Sequence, residues 1–245
     1  MYSIEVKNLC KDFPLPKKIL DVLLFRKRKF LKVLNNVSFN LSYGEIFIIM
    51  GKNGTGKTTL LRALSNLLIP EKGTILINDK PVSKYGTDLS NILSFVNSEE
   101  RSFYWRLSAY ENLEFFGTLL GLKKSQLKKT ILSSLRRVDL IKHKDFRFDK
   151  YSSGMKQRLS IARGFLNKPK IILLDEPTRN LDPFHAKEIR ELIKRLSNSK
   201  TAIIIATNNP EDAFIGDKLS ILKNHKLSSL KKIDKKNLKR ISELI

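Results

Sequence analysis

No stretch of the chain constrains its fold as tightly as Gly51-Lys52-Asn53-Gly54-Thr55-Gly56-Lys57-Thr58-Thr59, which follows an apolar run and opens a helix-compatible segment. These residues fit G-x-x-x-x-G-K-[ST] without exception. The glycines let the backbone turn tightly and aim successive N–H groups inward, and the positive end of the following helix completes an anion-binding nest. Lys57 adds a point charge for β and γ phosphates. Thr58 carries the hydroxyl that would ligate Mg²⁺ between them, so the loop calls for a nucleoside triphosphate with its metal. The competing reading is a glycine-rich strand-to-helix turn with no ligand.

The segments Ile46-Phe47-Ile48-Ile49-Met50, Ile171-Ile172-Leu173-Leu174 and Ala202-Ile203-Ile204-Ile205-Ala206 are short, continuous and rich in isoleucine. That is the pattern of strands buried on both faces of a parallel sheet. Each leads into a polar loop and then helix-compatible sequence, the alternation of a doubly wound α/β core with ligands at the carboxyl ends of its strands. Between Leu107 and Phe165 the strand pattern gives way to helical spacing, as in Leu113, Phe116, Leu120 and Leu127, Ile131, Leu135. An inserted helical subdomain at about 107–165 is expected there. Pro14 and Pro16 break the first strand, and Lys17 to Lys32 reads as a basic amphipathic insertion within about 14–33.

The second strand run ends in Asp175-Glu176-Pro177-Thr178, two carboxylates at the mouth of the sheet. Asp175 suits holding Mg²⁺, and Glu176, one residue further out, suits polarising a water for in-line attack on the γ-phosphorus. Acidic residues capping the next helix are the alternative. Tyr151-Ser152-Ser153-Gly154-Met155 precedes another helix-compatible run, and its small residues would leave a helix N-terminus bare for an anion.

With these motifs in this order, the chain resembles the nucleotide-binding subunit of ATP-binding cassette transporters over nearly all of residues 2–228. The resemblance implies a P-loop NTPase core with a mostly parallel sheet, an antiparallel β subdomain and an inserted α-helical subdomain, followed by a basic tail at 229–245. It further implies ATP and Mg²⁺ as cofactors, and a head-to-tail dimer that closes on two ATP molecules and opens after hydrolysis. Ser152, Ser153 and Gly154 match the signature that binds the γ-phosphate held by a second subunit. Asn180-Leu181-Asp182 matches the loop that crosses the dimer interface. Phe13 stands where the family has an aromatic stacked on adenine, with an ordinary packing role as the alternative. Glu99 to Arg106 looks like the version found in a branch related to multidrug and polysaccharide exporters, with local aromatic packing as the alternative.

Three departures from the family pattern stand out. Ser98, or Asn97, stands for the glutamine that touches Mg²⁺ and the attacking water. The signature has serine and methionine where glycine and glutamine are commonest. Asn208 stands for the switch histidine, and it can donate a hydrogen bond but cannot become cationic. Mg-ATP binding and dimerisation are therefore expected to be normal and hydrolysis slow. His143, His185 and His225 are read as surface or cap residues.

Composition narrows the partners. With 41% hydrophobic residues in 245, the chain can bury a core, and its one cysteine, Cys10, excludes an internal disulfide. No apolar run reaches the roughly 18 residues that span a bilayer, and the N-terminus lacks a signal-peptide plan. The expected location is peripheral, on the cytoplasmic face of the cell membrane. The formal charge of +23 gathers in residues 14–33, 120–150 and 223–245. Such clusters attract anionic lipid, acidic partners or nucleic acid, and also suit a lysine-rich solvated surface.

The leading expectation is an ATPase subunit powering separately encoded transmembrane permease subunits in export. A homodimer is favoured, anionic lipid contact is an added expectation, and nucleic acid is disfavoured. A soluble cassette ATPase acting on ribosomes or nucleic acid is one alternative. A hydrolysis-impaired regulatory half of a heterodimer is the other.

Overall fold

The computed structural model describes residues 2–17, 27–97, 102–198, 200–228 and the backbone of 231–232. Much of the amphipathic insertion (18–26), the segment from Ser98 to Arg101, and most of the basic tail lie outside the described residues.

The apolar runs form the centre of the larger sheet. β3 (Ile46–Met50), β6 (Leu93–Asn97), β7 (Ile171–Asp175), β8 (Ala202–Thr207) and β9 (Lys218–Lys223) pair in parallel, in the order β9-β3-β8-β7-β6. A short β10 (Lys226–Leu227) extends the β9 edge antiparallel through a turn at Asn224 and His225. Alternate residues of the central strands enter two separate cores. Ile46, Ile48, Met50, Ile172, Leu174, Ile203 and Ile205 face one, while Phe47, Ile49, Ile171, Leu173, Ile204 and Ala206 face the other. Burial on both faces is why these strands read as unbroken apolar sequence. Each fully buried side chain contributes about 1.5–3 kcal/mol.

The second core is closed by a smaller antiparallel sheet. There β1 (Ile4–Pro14), β2 (Phe30–Leu41), β4 (Lys72–Ile77) and β5 (Lys80–Pro81) run in the order β2-β1-β4-β5. β1 ends at Pro14, as expected of a residue that cannot donate to a ladder. Helix α1 (Lys57–Leu64) follows the glycine loop and buries Leu60, Leu61 and Leu64 in the same core. Cys10 is half-buried, and its Sγ accepts from the Asn36 amide at 3.4 Å.

Between β6 and β7 lie the α-helices α2 (Ala109–Leu119), α3 (Lys124–Arg137) and α4 (Ser153–Gly164). A capping box starts α2: Ser108 Oγ accepts from the Glu111 amide at 3.2 Å, and Glu111 Oε2 accepts from the Ser108 amide at 2.7 Å. Leu113, Leu127, Ile131 and Leu135 are buried as their spacing predicts. Leu120 is not: α2 stops at Leu119, so Leu120 is a C-cap, 41% exposed. In the aromatic segment Phe103 is buried and stacks on Phe148 at 4.8 Å, whereas Tyr104 and Trp105 are exposed. Helix α5 (Pro183–Leu196) follows β7 and packs under the sheet through Ile189, Leu192 and Ile193.

Candidate functional site

The carboxyl ends of β3, β7 and β8 are neighbours, so three segments distant in sequence meet at one edge of the sheet. β3 delivers the glycine loop, which feeds α1 through Gly56 at φ 105°. Gly54 and Gly56 both hold positive φ, a region glycine enters without strain. A Cβ at Gly56 would also lie 2.8 Å from Val33 Cγ1, so β2 presses directly on the loop. Thr55 Oγ1 donates to the Lys52 carbonyl at 2.9 Å and shapes the turn locally.

Lys57 is only 5% exposed and folds back over its own loop. Its Nζ donates to the Gly51 carbonyl at 2.7 Å and the Lys52 carbonyl at 3.2 Å, and pairs with Glu176 Oε1 at 3.1 Å. Glu176 is itself held from both sides. Its Oε2 accepts from the Asn208 amide at 3.1 Å, and its own amide donates to the Ala206 carbonyl at 2.8 Å. Glu176 sits at φ 50°, a left-handed conformation that costs a non-glycine residue about 1–2 kcal/mol. That strain turns the side chain into the cavity beside Lys57.

Thr58 Oγ1 donates to Asp175 Oδ2 at 2.7 Å, while Asp175 Oδ1 is buried with no partner. Burial pushes the Asp175 carboxyl above its ordinary pKa, against the Thr58 bond and the Lys57 charge, which pull it down. A carboxylate with a spare buried oxygen beside a hydroxyl is an oxygen donor pair that suits a hard divalent cation. The residues therefore fit the metal that the loop calls for.

Around these groups opens a cavity of about 480 Å³, lined by Asn53, Lys57, Thr58, Thr59, Asp175 and Glu176 among others. Asn208 closes one rim, its Nδ2 donating to Asn53 Oδ1 at 3.1 Å. Asn97, paired with Asp175 in the sheet, lines the wall; Ser98 lies outside the described residues. The same wall includes Val33, Arg62, Phe95 and Arg179, which sequence reasoning did not single out. Arg62 and Arg179 add positive charge suited to a polyphosphate. Arg179 had a signal, its place three residues after Glu176. Val33 had none, because β2 reaches the loop only through the fold.

The remaining candidates do not line this cavity. Ser152 N-caps α4, accepting from the Met155 amide at 3.2 Å, with Ser153 and Gly154 in the first turn. Asp182 N-caps α5, accepting from the Phe184 and His185 amides at 3.0 and 3.1 Å. The His185 ring joins these two helix starts, bonding Asp182 and filling the space beside Gly154. Phe13 is on the small sheet, 36% exposed, with Lys11 Nζ 5.3 Å from its ring centre.

Residues 34–179 match the protein family described as ABC transporter. The chain belongs to the ABC transporter family. It is an ATP-binding, ATP-hydrolysing cassette of that family. It is 33% identical over 186 residues to the ABC transporter ATP-binding protein NatA of Bacillus subtilis, covering 76% of each chain. It is 37% identical over 176 residues to the lantibiotic transport ATP-binding protein SrtF of Streptococcus pyogenes, covering 72% of this chain and 73% of that one. Among solved structures, cbiO1 of Clostridium perfringens, part of the ABC transporter complex cbiONQ, aligns with TM-score 0.79 at 26% identity. That alignment covers 99% of this cassette and 98% of cbiO1. The dimeric bacterial ABC transporter cassette MJ0796 aligns with TM-score 0.78 at 26% identity, over 94% of this cassette and 99% of that one. No helix among the described residues is long and apolar enough to cross a membrane.

Proposed function

We propose that this cassette energises a separately encoded membrane exporter by ATP-driven closure of a dimer, with a homodimer favoured. The observation that carries the reading is the convergence of Lys57, Glu176 and Asn208 on one cavity. Lys57 would leave Glu176 for the β and γ phosphates of ATP. Glu176 would then accept the proton of a water attacking the γ-phosphorus, held in place by the Asn208 amide. Thr58 and Asp175 would hold Mg²⁺, which neutralises charge developing on the phosphates. Ser152, Ser153, Gly154 and Asp182, all at helix starts away from this cavity, suit the phosphates held by a second subunit. Phe13 would stack on adenine. The cassette would occupy 1–228, with its helical part at about 107–165 and a basic tail at 229–245.

Asn208 can donate to the γ-phosphate but brings no positive charge, so hydrolysis is slow. Steady-state hydrolysis by Asn208→His tests this against Lys57→Ala as the blank. A rise of about tenfold or more is expected, since a single well-placed donor is worth about 10²–10³ in such sites. Equal turnover removes the slow-hydrolysis reading. Wild-type turnover rising steeply with protein concentration supports two identical chains; its absence with ATP binding intact favours an unlike partner.

A membrane-facing position is supported by exposed Leu15, Phe30 and Leu31 beside Lys27, Arg28 and Lys29. Apolar side chains ringed by cations suit an anionic leaflet, where each cation contributes about 1 kcal/mol. Equal flotation with neutral and anionic vesicles removes that contact.

A further inference from the structure

Beyond the mouth of the cavity, the two loops that carry Glu176 and Asn208 are tied together by one buried carboxylate. Asp212 lies in the short 3-10 helix Pro210–Ile215 and is 1% exposed. Thr178, two residues after Glu176, donates its hydroxyl to Asp212 at 3.0 Å (Oδ1) and 2.8 Å (Oδ2). Thr207, one residue before Asn208, donates its hydroxyl to Asp212 Oδ2 at 2.6 Å. From below, Arg190 of α5 donates Nε to Oδ1 at 2.8 Å. Thr207 also accepts the Asn209 amide at 3.0 Å, so both flanks of Asn208 hang on the same hydroxyl.

Without Asp212, the links that join the loops after β7 and β8 near the cavity among the described residues are the Glu176 amide to the Ala206 carbonyl, the Asn208 amide to Glu176 Oε2, and a longer bond of 3.4 Å from Asn209 Nδ2 to Thr178 Oγ1. The second of those links is part of the chemistry itself. A buried charge network of this kind is weak evidence for stability, because well-packed apolar residues of equal volume do as well or better. Its geometric content is stronger: two hydroxyls from two loops meet one carboxylate whose own position is fixed by a guanidinium. We propose that Asp212 is a positioning residue, whose carboxylate sets the spacing of the Glu176 and Asn208 loops and thereby aligns the water-activating carboxylate over the phosphates. It does not line the cavity and bonds Thr178, Thr207 and Arg190 rather than Lys57, so it acts on hydrolysis and leaves binding alone. The inference rests on the hydrolysis reading for its kinetic arm only.

The test compares wild type, Asp212→Asn and Thr178→Val for three quantities. These are Mg-ATP turnover with its KM, the Kd for ATP, and amide exchange across residues 175–212. Asp212→Asn keeps the shape and removes the charge that both threonines need; Thr178→Val removes one donor and is the milder change should the first variant not fold. Expected in each foldable variant is a kcat at least tenfold lower, with KM and Kd within about twofold. Amide exchange at Asn208 and Glu176 should be at least tenfold faster, with α5 unchanged. In an Glu176→Gln background, the same substitutions should lower turnover no further. Unchanged kcat and unchanged exchange in Thr178→Val overturn the proposal, as does a loss confined to melting temperature or to KM. If wild type shows no turnover above the Lys57→Ala blank, the hydrolysis reading fails by itself. The exchange arm then decides whether Asp212 holds the two loops.

Discussion

Replacing Glu176 by glutamine should pull affinity and turnover in opposite directions. Both oxygens of Glu176 face donors, the Asn208 amide at 3.1 Å and Lys57 Nζ at 3.1 Å. A glutamine must turn its NH₂ toward one of them. The oxygen stays with the lysine, where the bond is charge-assisted, and the Asn208 contact is lost. Loss of a general base lowers the rate by about 10²–10⁴, or about 2.7–5.5 kcal/mol of barrier at 1.36 kcal/mol per decade. Without nucleotide, the weakened pair removes about 1.5–3 kcal/mol, the net worth of a hydrogen bond to a charged group. The side chains are only 5% and 11% exposed, so water screens the pair little. At about 2–4 °C per kcal/mol for a chain of this size, the melting temperature of the nucleotide-free variant falls by roughly 3–12 °C. ATP, however, no longer competes with a carboxylate for Lys57. Taking the lower end of the same energy, about 1.5 kcal/mol, ATP binds about tenfold more tightly. Phosphate release, calorimetric titration with ATP and thermal melting with and without ATP measure all three quantities. Unchanged or weaker ATP binding would refute the idea that Glu176 restrains Lys57. Turnover within threefold of wild type would refute its role as base.

Two further substitutions probe the loop and the helix that carries Ser152. Gly56→Ala places a Cβ at φ 105° and 2.8 Å from Val33 Cγ1, so ATP affinity should fall at least tenfold, and titration showing wild-type affinity would refute the packing argument. The Tyr151 hydroxyl donates to the His143 carbonyl at 2.7 Å, so Tyr151→Phe should lower stability by about 1–3 kcal/mol at pH 7 in urea titrations. Burial raises the pKa of this phenol above its ordinary 10.0, so the folded chain holds the proton more tightly than the unfolded one. Its contribution is whole below pH 10.0 and is lost as pH rises through the raised folded value. The gap between wild type and Tyr151→Phe should therefore narrow at pH 11, and a constant gap would contradict the assignment.

The sheet and the phosphate loop were legible because their signals are local. Ile46 to Met50 and Ile171 to Leu174 announce burial on two faces without reference to any other segment, and the glycine loop is contiguous. Asp175 and Glu176 were legible for the same reason, lying at the end of one such run. What escaped depends on contacts between segments. Val33 reaches Gly56 from another sheet, and Asp212 gathers Thr178, Thr207 and Arg190 from three elements. The positive φ of Glu176 is set by its amide bond to Ala206, and nothing in Asp-Glu-Pro-Thr marks it. Leu120 failed for a different reason: helical spacing locates a face but not the residue at which a helix stops.

The place of β3 between β8 and β9 has a consequence for how the chain is made. Ile46 pairs with Ile203 and Phe47 with Lys218, so both edges of an early strand wait for late ones. At a translation rate of about 5–20 residues per second, that wait is on the order of ten seconds. Throughout it, a strand of five consecutive apolar residues has no lateral partner on the ribosome, and the glycine loop has no Glu176 to engage its lysine. The nascent chain is thus most prone to mispairing just before its nucleotide site exists, and free ATP cannot act as a folding ligand until the last central strands emerge.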